Sequence, residues 1–284
     1  MNWISFSSIT ANWIIVFALL VLASSSAMRV GIFCLSIEAI FLNTAICFAL
    51  GNSFFLGLLY GIIAGIITSI IFYLMVVVFK LEEIVSGIAL NLFSIGITSL
   101  FVISGSNSRY ISLDSQFTIN NIHLVLFIIL SVLIWILSVY LLDKSVFRNR
   151  FIALGQSEET ARISNISING YRGIALLITG VLSIIAGLFF TISQGGIGTT
   201  QWNEGIGFLA LGVAFASRGA SFAGLSVAFI LAIFRSISLI PTIPQWLPIP
   251  ELILHSLPYI FVVLLIALFG LIKIERYKIV FVKK

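Results

Sequence analysis

Charge is what this chain has least of. Asp, Glu, Lys and Arg make up 9% of its 284 residues, hydrophobic residues make up 60%, and the mean hydropathy is +1.21. A soluble globular chain is about 25% charged and about 45–50% apolar. So few charges cannot cover the surface that a chain of this length leaves exposed, which excludes a water-soluble fold and leaves a polytopic membrane protein. Cysteine is scarce too, with Cys34 and Cys47 the whole complement. They fall in one predicted helix, where they cannot reach the Cα separation of about 7 Å or less that a disulfide needs, so they read as apolar filler. Catalytic signatures are missing altogether. No GxxxxGK(S/T) phosphate loop, HExxH, CxxC or GxSxG occurs, and His123 and His255 stand alone near predicted outer helix ends. No catalytic residue, metal site or bound cofactor is expected, and the chain cannot hydrolyse ATP by itself.

Backbone in lipid must satisfy its own hydrogen bonds, so a crossing segment is a helix of about 20 residues or a barrel strand of about 10 alternating ones. Alternating segments are absent. Continuous apolar runs at 12–28, 31–50, 54–79, 84–103, 122–142, 173–193, 205–217, 220–240 and 253–272 predict an all-α transmembrane bundle of about nine spans. With the N-terminus outside and the C-terminus cytoplasmic, thirteen of the fifteen Lys and Arg residues lie on one side, as the positive-inside rule requires. The exceptions are Arg109, in a predicted outer loop, and Arg235, near the outer end of its segment, where it can snorkel. The run 205–217 is short, but omitting it would put the basic tail outside. The apolar run from Trp13 to Ala23 before Ser24-Ser25-Ser26-Ala27 imitates a signal peptide, yet no Lys or Arg precedes it, so it is expected to be retained.

One long polar island interrupts the apolar runs, from Asp143 to Arg172, and carries Lys144, Arg148, Arg150, Arg162 and Arg172. Ser157 can cap a short helix, Glu158 and Glu159 suit its positive end, and Glu158 with Arg162 forms an i,i+4 pair. Ala161, Ile163 and Ile166 supply a small apolar face. Such a helix either docks into a groove on a soluble partner or lies solvated at the interface.

Polar residues inside the spans are the candidates for a translocation path. Glu38 lies toward the cytoplasmic side of its segment; intramembrane carboxylates usually face a partner or a water-filled cavity. It either lines the path and its inner gate, or bonds structurally to Asn43, Asn91 or a serine. Ser86 and Asn91 are a second set, serving the path or joining helices. Gln194, Gly195, Gly196, Gly198, Trp202, Asn203 and Glu204 form a third. Glycine-rich irregular backbone at membrane depth lines cavities, and Trp202 could stack on a planar solute; the competing reading is an outer loop with Trp202 as a belt residue. Gly57, Gly61 and Gly65 recur every four residues, a small-xxx-small face for a close helix contact within the chain or with another subunit.

The segment ALGQSEETARISNISINGYRGIAL, Ala153 to Leu176, resembles the cytoplasmic coupling segment of permeases from bacterial ABC importers. The likeness is to the branch handling nucleosides, simple sugars and branched-chain amino acids, and within it to the nucleoside permeases. RVGIFCLSIEAIFL from Arg29, EEIVSGIALNLFSIGITSLF from Glu82, GIGFLALGVAFASRG from Gly205 and HSLPYIFVVLLIAL from His255 fit in the same order, so the resemblance covers most of the chain. Three positions depart from the pattern. Ala39 follows Glu38 where the family usually has Gly, Asn165 replaces a common Gly, and the Trp and Pro expected after Arg218 are missing.

The resemblance implies a single permease domain over 1–284 with a cytoplasmic coupling loop at 143–172, in the bacterial plasma membrane. It implies a second permease subunit in a heterodimer, a cytoplasmic ATPase that uses ATP and Mg, an extracytoplasmic binding protein, and no nucleic acid. Gly155, Gln156, Ser157, Glu158, Glu159, Ala161, Arg162 and Ile166 would contact the ATPase. Glu38, Ser86, Asn91, Gln194, Trp202 and Glu204 remain the path candidates. A sugar permease is the close alternative. An ion-coupled transporter would need midplane carboxylates, and Glu38 is the one strong example.

Overall fold

The structure is a computed structural model of the chain and describes residues 3–105, 110–112, 121–163, 167–199, 205–239 and 251–271. Its helices are α1 (Trp3–Arg29), α2 (Ile37–Ala49), α3 (Phe54–Tyr73), α4 (Glu83–Gly105), α5 (Asn121–Asp143), α6 (Val146–Gln156), α7 (Glu158–Ile163), α8 (Ile168–Ser193), α9 (Ile206–Ala216), α10 (Ser221–Ser238) and α11 (Glu251–Leu271). Each predicted apolar run contains a helix. Six stretches are long and apolar enough to cross a bilayer: Phe6–Arg29, Phe54–Val78, Glu83–Ile103, Val125–Asp143, Ile168–Ser193 and Ser221–Ser238. Ile37–Ala49, Ile206–Ala216 and Ile253–Leu268 are shorter. The all-helical expectation holds apart from a two-stranded antiparallel ribbon, β1 (Tyr110–Ser112) with β2 (Ile197–Thr199).

α1 is the central post, packed against α8, α10, α9 and α5. Phe17, Leu20, Ala23 and Ala27 along it are fully buried, and Ser26 meets Thr179 of α8 at 2.7 Å. The glycine stripe on α3 packs within the chain. A Cβ at Gly57 would stand 2.5 Å from the Phe48 carbonyl oxygen, one at Gly61 2.9 Å from that of Thr44, and one at Gly65 2.4 Å from Ile184. α3 therefore lies directly on α2 and α8. Its opposite face, with Phe55 and Ile67, is exposed, as are Leu92 and Phe93 of α4 and Leu133 and Leu137 of α5.

The run 31–50 departs most from its expected form. Its first residues are not helical, and α2 is only 13 residues long. Gly31 takes φ +78°, the Phe33 N–H donates to Glu83 at 2.8 Å, and Asn91 bridges the break. Its Nδ2 donates to the Leu35 carbonyl and its Oδ1 accepts from the Ala39 N–H, each at 2.9 Å. Side chains of α4 thus replace the helical bonds of an apolar stretch, which hydropathy cannot register. Cys34 accordingly sits in this break and only Cys47 in a helix; both thiols are free.

Candidate functional site

The polar island is more ordered than a loop with one helix. Ser145 caps α6, accepting from the Phe147 N–H at 3.2 Å. Ser157 is extended and separates α6 from the six-residue α7. Of the expected apolar face, Ala161 is fully buried, Ile163 points away and is 87% exposed, and Ile166 lies outside the described residues. Gln156, Glu159 and Arg162 are exposed. The Glu158 side chain, and with it the expected pair to Arg162, lies outside what is described. Gln156, Ser157, Glu159 and Arg162 instead line a polar cleft of about 1280 Å³ whose far wall carries Lys80, Glu82 and Glu83.

Behind this surface lies a residue whose role the sequence did not disclose. A Cβ at Gly155 would stand 2.3 Å from the Arg29 carbonyl oxygen, so α6 rests directly on the last turn of α1. The buried Arg29 guanidinium reaches three other elements. It donates to the Leu142 carbonyl and to Asp143 Oδ1 (2.6 Å) at the end of α5, to the Gly219 carbonyl twice (2.9 and 2.8 Å), and to Ser221 Oγ at 2.9 Å. A planar, five-donor fork can serve so many acceptors at once, and an ammonium cannot. One side chain thereby pins α5, the α9–α10 turn and α1 together beneath α6. The available signal was complementary charge, since Arg29 and Asp143 each close a long apolar run on the same predicted face.

A second junction lies deeper. Glu38 is buried in the first turn of α2, and its Oε2 accepts from the Gly207 N–H in the first turn of α9. A Cβ at Gly207 would come within 2.8 Å of Glu38 N and 2.9 Å of its Cα, so only glycine lets the two backbones meet. α9 ends beside Arg29 through Gly219, and its 11 residues rise about 1.5 Å each, which sets its start about 16 Å above that face. That is roughly half of a hydrocarbon core about 30 Å thick. Two half-helices thus meet N-terminus to N-terminus at about that distance from the α1–α5 end, each end carrying about half a positive charge, with one carboxyl group facing both. Glu38 therefore begins a broken helix instead of lying along a continuous one. Its Oε1 has no hydrogen-bond partner among the described residues.

The other candidates divide. Asn91 and the buried Ser86 lie on α4, with Gly87 between them against Leu35, so they belong to the break that leads to Glu38. Asn43 bonds Thr68 and Ser94 at 2.8 and 3.0 Å, away from Glu38. Gln194 is the exposed C-cap of α8, followed by Gly195 and Gly196 with positive φ. Trp202, Asn203 and Glu204 lie outside the described residues. Arg235 does not snorkel: it is 5% exposed, with its guanidinium 5.1 Å from the centroid of the Trp13 ring. Packing of α10 against α1 and α11 holds it inside the bundle.

The family model described as branched-chain amino acid transport system / permease component matches residues 7–272, from the first helix to the last. The chain is also similar to the nucleoside ABC transporter permease protein NupC of Lactococcus lactis subsp. cremoris (strain MG1363). The two are 24% identical over 230 residues, 75% of this chain and 73% of that one. No solved structure matches the chain. The resemblance to ABC permeases read from the sequence is thus borne out, and the long apolar helices agree with a multi-pass protein of the cell membrane. With nearly its whole length matched, the chain belongs to the family of permease components of branched-chain amino acid transport systems.

Proposed function

We propose that this permease imports nucleosides by alternating access, driven by a separate ATPase that docks on the segment Gly155–Ile166. The seating of Gly155 on the Arg29 carbonyl carries the mechanical part of the reading. A push on the docked segment reaches α1 directly and, through the guanidinium, α5 and the α9–α10 turn. α9 continues from that turn to Glu38, where the head-to-head junction with α2 supplies a break that can open and close as a rigid-body gate. Broken helices meeting at mid-depth are where transporters place solute sites. The nucleoside assignment rests on the relative's name and on the neutral, aromatic-rich composition of the spans.

In this reading all nine apolar runs cross, with α2 and α9 supplying only the helical part of theirs, and the N-terminus lies outside. The ends of α1 and α5, the α9–α10 turn and α6 then share the cytoplasmic face, in keeping with their mutual bonds through Arg29. A second permease completes the path as a heterodimer, a binding protein delivers solute, and the ATPase holds ATP and Mg. ATP binding shifts the equilibrium between inward- and outward-open states by its differential affinity for them. The test is uptake of labelled nucleosides by the assembled system. Uptake should vanish when the partner ATPase is catalytically dead; persistent uptake would overturn the reading.

A further inference from the structure

We propose that the ATPase grips this permease at two places, the second being the turn between α3 and α4, and that α4 carries movement of that turn to α2. This rests on the docking of that ATPase at Gly155–Ile166. Beside that segment lies the polar cleft of about 1280 Å³. It exceeds the about 300–1,000 Å³ of a small-molecule site, so a protein segment fills it better than a solute. One wall is the docking segment, with Gln156, Glu159 and Arg162, and the facing wall is the turn, with Lys80 and Glu82. Each wall carries both signs of charge, so whatever seats on Glu159 and Arg162 from inside the cleft also meets Lys80 and Glu82.

Hydrogen bonds give the turn a fixed shape. α3 runs on into a π-helical turn, Leu74–Val78, a geometry found frequently at functional sites. The Phe79 N–H donates to the Leu74 carbonyl at 2.8 Å and the Leu81 N–H to that of Met75 at 2.9 Å, which holds Lys80 between them at φ +55°. A left-handed lysine is strained and persists only where the surrounding structure enforces it. The exposed Lys80 and Glu82 flank Leu81, which is 49% exposed and also lines the cleft. An apolar residue rimmed by charge suits a protein contact.

From the turn, α4 reaches the break before α2 at three levels. Glu83 accepts from the Phe33 N–H at 2.8 Å. One helical turn on, a Cβ at Gly87 would stand 2.6 Å from the Cβ of Leu35, and a further turn on Asn91 bonds the Leu35 carbonyl and the Ala39 N–H. The spacing of four residues puts all three on one face of α4. That face holds the break from its start to the first turn of α2, and Gly31 and Phe33 of the break line the cleft itself. The docking segment thus reaches α9 through Arg29, and the turn reaches α2 through α4. A partner that changes the separation of the two walls shifts one half-helix against the other where they meet at Glu38.

The test uses the assembled transporter, with the photo-crosslinking residue p-benzoylphenylalanine in place of Lys80 or of Glu159. Products with the ATPase are expected from both positions. A product from position 159 alone overturns the second grip and leaves the docking at Gly155–Ile166 standing, whereas none from either position overturns both. A product from position 80 confined to the permease's own chain also overturns the second grip. Asn91→Ala tests the path through α4. Losing one or two hydrogen bonds of this kind shifts a two-state balance about five- to thirty-fold, so uptake per ATP should fall by that order while ATP hydrolysis and the product from position 80 persist. Unchanged uptake per ATP, whether both rates hold or both fall together, overturns the path through α4.

Discussion

Replacing Gly155 with alanine tests the contact between α6 and the end of α1 most directly. The new Cβ would stand 2.3 Å from the Arg29 carbonyl oxygen and 3.1 Å from its carbon, so the backbone of α6 or of α1 must move. Arg29 resists movement because its side chain is tied to α5 and the α9–α10 turn. Overpacking of this kind costs about 1–3 kcal/mol, which corresponds to a shift of about 5–150-fold between the seated and lifted arrangements. The assay is reconstituted uptake and ATP hydrolysis measured together in vesicles, with Gly96→Ala as a control, since nothing lies within 4 Å of a Cβ there. The expected result is uptake reduced at least about five-fold per ATP hydrolysed, with insertion and ATPase assembly retained. Normal uptake per ATP would refute the idea that Gly155 transmits motion through Arg29.

Glu38→Gln keeps an acceptor for the Gly207 N–H but removes the ionisable carboxyl facing two helix ends, each of which favours its ionised form by about 0.3–1 kcal/mol. Slower uptake with a modest fall in Tm is expected, and unchanged uptake would make Glu38 purely structural. Arg29→Lys keeps the charge and loses the fork, so fewer of its acceptors stay paired; the Tm of the purified chain should drop together with uptake per ATP, and an unaltered Tm would contradict the pinning role. Gly61→Leu puts a side chain into the Thr44 carbonyl and Leu188. Its folded yield should collapse when the chain is expressed alone, and a defect seen only beside a second permease would argue against the intrachain packing.

Much of the fold was legible from the chain because hydropathy and helix length answer to the same bilayer. Every apolar run contains a helix, and the residues placed on one face by charge, Arg29, Asp143, Gly155 and Arg218, do converge. The site was legible in residue types and less so in arrangement. Glu38 and Asn91 stood out as polar groups in apolar runs, yet their partners, Gly207 and the 30–36 break, are distant in sequence. Arg235 was misjudged because a position near a segment end suggests snorkelling, whereas neighbouring helices can cover that end as well.

By itself, the sequence settled the solvent, the helices and the family likeness, since each follows from local composition or ordered motifs. Tertiary structure alone decided that α2 and α9 are half-helices meeting head to head, that the α3 glycines pack inward, and that one guanidinium binds three elements under Gly155. The physical reason is that burying an apolar side chain in lipid is equally favourable in a long helix or a broken one. The choice falls to backbone hydrogen bonds and close contacts, and those are made by residues far apart along the chain.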